Sequence, residues 1–133
     1  MTYEETLDYL FTSIPVFQRS GASAYKPGLD TSIALDNYLG NPHTAYKTIH
    51  VGGTNGKGST SHLLAAILQQ AGYKVGLFTS PHLVDFRERI RVNGICISKE
   101  YVVNFIEKYR SLFEPHDPSF FELTSTMALA YFR

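Results

Sequence analysis

The feature that most constrains the fold is a glycine-rich turn at residues 52–58, which reads Gly-Gly-Thr-Asn-Gly-Lys-Gly. Residues 48–52 favour a β-strand, and apolar residues at helical spacing follow the turn. Between a strand and a helix, closely spaced glycines let successive backbone N–H groups converge on one anion, and the helix N-terminus adds its positive dipole. The sequence therefore predicts a phosphate-binding loop in an α/β domain, with Lys57 beside the β- and γ-phosphates.

The loop departs from the usual nucleotide-binding pattern G-x-x-x-x-G-K-[ST]. Only three residues separate Gly52 from Gly56, and Gly58 occupies the position of the hydroxyl residue after the lysine. The hydroxyls come later, at Ser59 and Thr60, where each can either contact phosphate or cap the helix. A glycine-rich turn with a chance lysine is the alternative interpretation, and the flanking strand and helix patterns count against it.

The remaining pattern predicts the other helices and strands of this α/β domain. Thr2 and Glu5 resemble a capping box for a first helix that Pro15 limits, and a loop follows at residues 18–28. Further helices are predicted after Asp30, after Ser98 and at 120–132, with a second strand at 74–79 and a hairpin over 89–98 around an Asn-Gly pair. Two strands do not complete a parallel sheet, so the chain is predicted to be the N-terminal part of a longer enzyme.

Composition limits the classes of partner. The chain has 133 residues, room for one domain, and its twelve basic and twelve acidic residues leave no net charge. That balance argues against a nucleic-acid or membrane-surface binder and for small-molecule ligands. The N-terminus has no apolar targeting segment and no long apolar run occurs, which predicts a cytoplasmic protein. A single cysteine, Cys96, excludes an internal disulfide.

Two polar segments follow the second predicted strand. Ser80 lies at its carboxyl end, where open α/β sheets collect ligands; its hydroxyl could bind magnesium, although the spacing alone favours a turn. His82 is interpreted as a turn residue without a catalytic role. Arg87, Arg89 and Arg91 alternate and so would share one face of a strand. That face is either a solvated side of the hairpin or a basic loop that receives an anionic substrate.

Four motifs in order resemble the folylpolyglutamate synthase and dihydrofolate synthase family, at residues 53–59, 71–76, 79–83 and 87–94. The similarity extends to Lys-Pro-Gly-Leu-Asp at 26–30 and Ser-Phe-Phe-Glu at 119–122. This family is related to the Mur ligases. The resemblance implies the start of a parallel-sheet P-loop nucleotide-binding domain of the Mur ligase central type, with a β-hairpin insertion and the rest of the domain beyond residue 133.

The resemblance also implies a reaction and its site. A folate or dihydropteroate carboxylate is phosphorylated by ATP, with Mg²⁺ as cofactor, and the amine of glutamate then attacks the acyl phosphate. Lys57 is the implied catalytic residue and Ser80 the implied magnesium ligand. The triphosphate would be held by Thr54, Asn55, Gly56, Lys57, Gly58 and Ser59. The pterin part of the substrate would approach Gly28, Leu29, Asp30, Ser119, Phe120, Phe121 and Glu122. Asp30 departs from the longer polar residue that the family pattern has there.

Other parts of the family's machinery would lie beyond Arg133: an acidic magnesium ligand, a second metal-binding histidine, a modified lysine and the C-terminal glutamate-binding domain. We therefore expect residues 1–133 alone not to catalyse ligation. Two alternatives remain. A P-loop small-molecule kinase expects a hydroxyl directly after the lysine, which Gly58 disfavours. A non-catalytic nucleotide-binding module needs only the loop.

Overall fold

A computed structural model describes residues 1–14 and 28–133. Pro15, the predicted loop up to residue 27 and the first two residues of the motif at 26–30 lie outside them. The described helices are α1 (Tyr3–Thr12), α2 (Asp30–Tyr38), α3 (Lys57–Gln70), α4 (Lys99–Phe113) and α5 (Phe120–Phe132). The described strands are β1 (Gly76–Phe78), β2 (Ile90–Val92) and β3 (Ile95–Cys96). Short 3-10 turns occupy Pro42–Ala45, Phe86–Arg89 and Glu114–His116.

Side-chain caps set the starts of three helices. The capping box predicted at Thr2 and Glu5 is confirmed, since each side chain accepts a hydrogen bond from the other residue's backbone N–H. Ser98 caps α4 by accepting from the backbone N–H of Tyr101. A second full capping box starts α5 at Ser119. The predicted helices at these positions are therefore present and begin where local sequence signals place them.

The described sheet is antiparallel, in the order β1-β2-β3. Phe78 of β1 pairs with Ile90, and Val92 pairs with Ile95 across the hairpin. Asn93 and Gly94 have φ angles of 49° and 79°, the positive values that a tight two-residue hairpin turn requires. The predicted hairpin is thus confirmed. The second predicted strand is also present, as β1.

The strand predicted at residues 48–52 is wrong for this structure. No strand is assigned there, and no described segment forms a hydrogen-bond ladder with these residues. A β-strand needs a neighbour that accepts its N–H groups, and β1 pairs with the hairpin instead. The described residues accordingly hold a small antiparallel sheet with helices, and no parallel pair of strands.

One core joins α1, α2, α4 and α5 to the hairpin. Its most deeply buried side chains include Leu10, Leu35, Phe86, Ile90, Ile106, Leu123 and Met127. β1 lies so close to α5 that a Cβ on Gly76 would meet the ring of Phe132 at 2.6 Å, so glycine is needed there. Among the described helices, none has the length and apolar character that a bilayer-spanning segment requires.

Helix α3 is the exception to this packing, because it buries none of its residues. Leu63 and Ile67, on its predicted apolar face, are 65% and 64% exposed. Burying a leucine or isoleucine side chain is worth roughly 1.5–3 kcal/mol, so this face leaves stabilisation unrealised in the described part of the chain. α3 is therefore held mainly through its contacts with β1.

Candidate functional site

The glycine-rich loop leads directly into α3, as predicted. Gly53 has φ 145° and Gly56 has φ 73°, both in the region that residues with a Cβ rarely adopt. Gly56 is the N-cap of the helix and supplies no side-chain capping bond. These backbone conformations explain why the sequence needs glycine at both positions.

The start of α3 leaves backbone N–H groups open to an anion. The first N–H groups of a helix have no acceptor within the helix, and residues 52–60 are all exposed. A Cβ placed on Gly56 or Gly58 would meet no atom within 4 Å, so side chains do not fill the bend. Because the N-cap is Gly56, the helix-cap alternative for Ser59 and Thr60 is not observed. The bend can therefore receive a phosphate group.

The Lys57 side chain folds back onto the backbone of its own loop. Its Nζ donates a hydrogen bond to the carbonyl oxygen of Gly53 at 2.6 Å and lies 3.5 Å from that of Thr54. The ammonium group is exposed and is held by neutral carbonyls rather than by a carboxylate. A phosphate oxygen is a stronger, charge-assisted acceptor than a carbonyl, so the lysine can exchange one partner for the other.

Ser80 follows β1 after Thr79 and is exposed. Within the described residues, its hydroxyl makes no hydrogen bond, and a cis peptide links it to Pro81. A hydroxyl oxygen is a ligand type that Mg²⁺ accepts. The described ranges contain no cluster of three or more His, Cys, Asp and Glu residues that could hold a metal. Ser80 therefore suits a site whose other ligands come from phosphate, water or residues elsewhere.

The arginines after Ser80 do not share a face, so that prediction is wrong. Arg87 and Arg89 lie in the 3-10 turn Phe86–Arg89, and only Arg91 lies in a strand. Asp85 and Glu88 form a capping box for this turn, and the turn breaks the strand alternation. This D-x-x-E pattern is the sequence signal that would have predicted the turn.

Each of these arginines has its own local partner. Arg87 pairs with the Asp85 carboxylate at 2.9 Å, and Arg91 donates to the Glu88 carbonyl at 3.1 Å. Arg89 is only 4% exposed and donates from Nε to a ring nitrogen of His82. Burial, followed by the nearby Arg89 charge, lowers the pKa of His82, so the imidazole stays neutral and can accept this bond. The three arginines are therefore held by hydrogen bonds and an ion pair within the protein, and they do not form a free basic loop.

The residues predicted to approach a pterin ring occupy two helix starts. Gly28, Leu29 and Asp30 are exposed where α2 begins, and α2 packs on α5. At the start of α5, Phe120 is buried while Phe121 is 58% exposed. Of the predicted set, Gly28, Leu29 and Asp30 lie at the start of α2, and Ser119, Phe120, Phe121 and Glu122 lie at the start of α5.

Glu122 is already engaged at this site. One of its carboxylate oxygens accepts the backbone N–H of Ser119 at 2.8 Å, and its own N–H donates to the Ser119 hydroxyl. Arg89 lies over the ring of Phe120, with 4.9 Å between the guanidinium carbon and the ring centroid, and so ties the Ser80 segment to α5. Within the described residues, no hydrogen bond links the loop at 53–59 to these groups.

Comparison with known proteins decides the family. No model of a protein family matches the chain. It is 42% identical over 113 residues to dihydrofolate synthase/folylpolyglutamate synthase of Bacillus subtilis, covering 80% of this chain and 26% of that protein. Folylpolyglutamate synthase from Thermotoga maritima superposes with a TM-score of 0.84 and 46% identity, over 98% of this chain and 30% of that one. The chain belongs to the folylpolyglutamate synthase and dihydrofolate synthase family.

Two further structures extend the comparison. Folylpolyglutamate synthetase from Lactobacillus casei matches with a TM-score of 0.86 and 33% identity, over 100% of this chain and 33% of that chain. A complex of folylpolyglutamate synthase with AMPPCP and folate matches with a TM-score of 0.85 and 32% identity, over 100% of this chain and 32% of that one. The family resemblance stated from the motifs is confirmed, and these neighbours are Mur ligase-like synthase domains.

The chain spans about a quarter of the Bacillus subtilis relative and about a third of the Thermotoga maritima and Lactobacillus casei chains. The matched third carries the glycine-rich loop and Ser80. In this family member, sequence reasoning found the loop but missed Glu88 and Arg89 as organisers of the Ser80 segment. Their role depends on contacts across a 3-10 turn that strand periodicity does not show.

Proposed function

We propose that the chain carries the ATP-binding part of an ATP-dependent ligase that adds glutamate to a folate or dihydropteroate carboxylate. The observation that carries the proposal is the open bend at Gly53–Gly56, which delivers backbone N–H groups and Lys57 to one place at the start of α3. Support comes from the similar synthase structure that holds AMPPCP, an ATP analogue, together with folate.

The reaction explains why a phosphate cradle is needed. A carboxylate is a poor electrophile, so one of its oxygens first attacks the γ-phosphorus of ATP, and ADP leaves. The glutamate amine then attacks the carbonyl carbon of the acyl phosphate, and inorganic phosphate leaves with the bonding electron pair. Negative charge shifts toward ADP in the first step, where Lys57 and the N–H groups of residues 54–59 would stabilise it.

Ser80 is proposed as one oxygen ligand of Mg²⁺. When bound, the ion would neutralise charge on the phosphate oxygens. Ser80 suits this role because its hydroxyl is exposed and unbonded within the described ranges, at the carboxyl end of β1. The ligands beyond this hydroxyl are assigned to the nucleotide, to water and to polypeptide outside residues 1–133.

The pterin part of the substrate is proposed to lie against the starts of α2 and α5. Phe121 is the side chain that best supports this, because its exposed ring can stack on a heterocycle. Glu122 would act mainly by holding the helix start, since its carboxylate accepts a backbone N–H there. Gly28, Leu29 and Asp30 would supply the facing surface.

The domain assignment follows from the uncovered face of α3. We infer that residues 1–133 correspond to the N-terminal part of the ATP-binding domain. Polypeptide equivalent to the remaining length of the relatives would complete a parallel sheet beside residues 48–52 and cover Leu63 and Ile67. Because this polypeptide would also carry the glutamate-binding domain, ligation is expected only when it is present.

Calorimetric titration of the chain with AMPPCP and Mg²⁺ tests the nucleotide site, and a ligation assay on a protein that includes the remaining polypeptide tests the reaction. Amide product and ADP that require both a pteroate-type acid and glutamate support the proposal. Phosphorylated product without amide indicates the kinase alternative. Nucleotide binding with neither ADP nor amide product indicates a non-catalytic nucleotide-binding module, and absence of nucleotide binding in both proteins overturns the proposal.

A further inference from the structure

One carboxylate gathers three consecutive backbone N–H groups in the segment after Ser80. Oε1 of Glu88 accepts from Leu83 at 3.0 Å, and Oε2 accepts from Val84 at 3.0 Å and from Asp85 at 2.6 Å. These bonds, led by those from Asp85 and Leu83, lower the pKa of the Glu88 carboxyl group, so the acceptor is ionised near neutral pH. Hydrogen bonds to an ionised acceptor are stronger than neutral ones.

Side-chain packing does not hold the same residues. Leu83 and Val84 are 93% and 90% exposed, so their apolar side chains bury almost no area against the fold. Their backbone is therefore fixed by the two bonds to Glu88. The 3-10 turn itself is anchored in the core by Phe86 and Arg89, whereas residues 83 and 84 have no such packing to hold them if these bonds are lost.

The bonds extend to both sides of Ser80. The backbone N–H of Thr79 donates to the carbonyl of Arg89 at 2.9 Å, and His82 accepts from the Arg89 side chain. Residues before and after Ser80 are thus tied to positions 88 and 89 of one 3-10 turn. Ser80, which is exposed, lies between these ties.

We propose that Glu88 is a positioning residue that fixes the segment at 80–85 so that the Ser80 hydroxyl is held ready for Mg²⁺. The inference rests on the proposed function and assigns a role within the same site. A simpler role for Glu88 is capping of the 3-10 turn, which requires only its bond from Asp85. The bonds from Leu83 and Val84 lie outside that capping box and belong to the segment that carries Ser80.

The test uses Glu88→Ala and the near-isosteric Glu88→Gln, with Glu107→Gln as the matched control. Glu107→Gln removes the same charge, and the one hydrogen-bonding partner of the Glu107 side chain in the described residues is the N-terminal amine. Amide hydrogen exchange at residues 83–85 measures directly whether these three N–H groups stay bonded to the side chain at position 88. The affinity for AMPPCP is measured with and without Mg²⁺. The difference between the two values reports whether the Ser80 hydroxyl is positioned for the ion, and it does not depend on turnover.

Glu88→Ala is expected to speed exchange at Leu83 and Val84 at least about tenfold and to reduce the gain in AMPPCP affinity due to Mg²⁺ by about tenfold, as loss of a group supporting a metal ligand does. Affinity without Mg²⁺ should change less than about twofold, because the loop at 53–59 is separate. Glu88→Gln, which retains one acceptor oxygen, should fall between Glu88→Ala and the wild type. The control should match the wild type.

Two results overturn the inference. One is amide hydrogen exchange at residues 83–85 that is unchanged in both Glu88 variants. The other is faster exchange there while the increase in AMPPCP affinity due to Mg²⁺ stays the same as in the wild type. Circular dichroism identifies a variant that fails to fold, in which case Glu88→Gln decides. Failure of the proposed function is recognised separately, because it appears in the wild type as absent AMPPCP binding or as binding that Mg²⁺ does not strengthen.

Discussion

The Nε of Arg89 donates a hydrogen bond to Nδ1 of His82 at 2.8 Å. The arginine is buried against the Phe120 ring, and no carboxylate of the described residues lies within ion-pair distance of it. Burial leaves the charge of the guanidinium poorly solvated and so lowers its pKa. This bond therefore joins the Ser80 segment to the start of α5 through a buried cation and a neutral imidazole.

Arg89→Met is expected to lower the free energy of unfolding by about 2–4 kcal/mol, because it removes a charged hydrogen bond and leaves the His82 ring nitrogen unpaired. Arg89→Lys keeps the charge but loses the planar guanidinium group, and it should still lower the free energy of unfolding by about 1 kcal/mol. Urea unfolding gives both values. Arg110→Met, at an exposed arginine, is the control and should stay within about 0.5 kcal/mol. An Arg89→Met change no larger than the control's contradicts the assignment.

Features set by neighbouring residues were predictable from sequence. The hairpin turn needs only positive φ at Asn93 and Gly94, and the capping box needs only Thr2 and Glu5, so both were predicted correctly. The glycine-rich bend that leads into α3 belongs to the same class. Gly53 and Gly56 adopt backbone conformations that other residues avoid, and this requirement is visible in the sequence itself.

Features set by distant partners were not predictable. The β-forming residues at 48–52 lack a neighbouring strand in the described part of the chain, and β propensity cannot supply one. Arg87, Arg89 and Arg91 were mispredicted for a different, local reason: they satisfy a strand alternation, although the Asp85–Glu88 capping box turns the chain before the strand begins. The role of Glu88 was missed because its carboxylate oxygens accept from three backbone N–H groups that come together only in the folded chain.

Lys57→Met is expected to lower AMPPCP affinity about tenfold or more in the presence of Mg²⁺, because a charge-assisted bond to phosphate is lost. The free energy of unfolding should change by less than about 0.5 kcal/mol, since Lys57 is exposed and bonded only to its own loop. Calorimetric titration and urea unfolding measure the two quantities. Lys74→Met removes an exposed lysine outside the loop and should leave affinity unchanged. Equal affinity of Lys57→Met and wild type would remove Lys57 from the site.

The two leucines Leu10 and Leu63 should respond differently to truncation. Leu10→Ala is expected to cost about 2–5 kcal/mol of unfolding free energy, because Leu10 is completely buried in the core. Leu63→Ala, on the uncovered face of α3, should cost less than about 1 kcal/mol in the chain alone. Urea unfolding compares them. In a protein that includes the remaining polypeptide, Leu63→Ala should become clearly destabilising, and an equally small cost there would contradict the proposed cover over α3.

The partly buried hydroxyl of Tyr46 should make the stability of the fold depend on pH. Its hydroxyl donates to the carbonyl of Leu129 at 2.7 Å, and burial, followed by the charge of Asp36, raises the pKa of Tyr46 to about 12. Because the folded pKa lies above the unfolded value of about 10, the stabilisation is complete below pH 10 and is lost as the pH rises toward 12. Tyr46→Phe removes both the bond and the titrating group.

At about pH 8, Tyr46→Phe is expected to cost about 1 kcal/mol of unfolding free energy, the usual value of one such hydrogen bond. Between about pH 10 and 12 the wild type should lose stability more steeply than the variant, so the gap between them should narrow. Urea unfolding of both proteins across this range measures the gap. Other tyrosines with raised pKa values, such as Tyr9, titrate equally in both proteins and cancel in the difference. A gap that stays constant from about pH 8 to 12 would show that the Tyr46 hydroxyl titrates as it does in the unfolded chain.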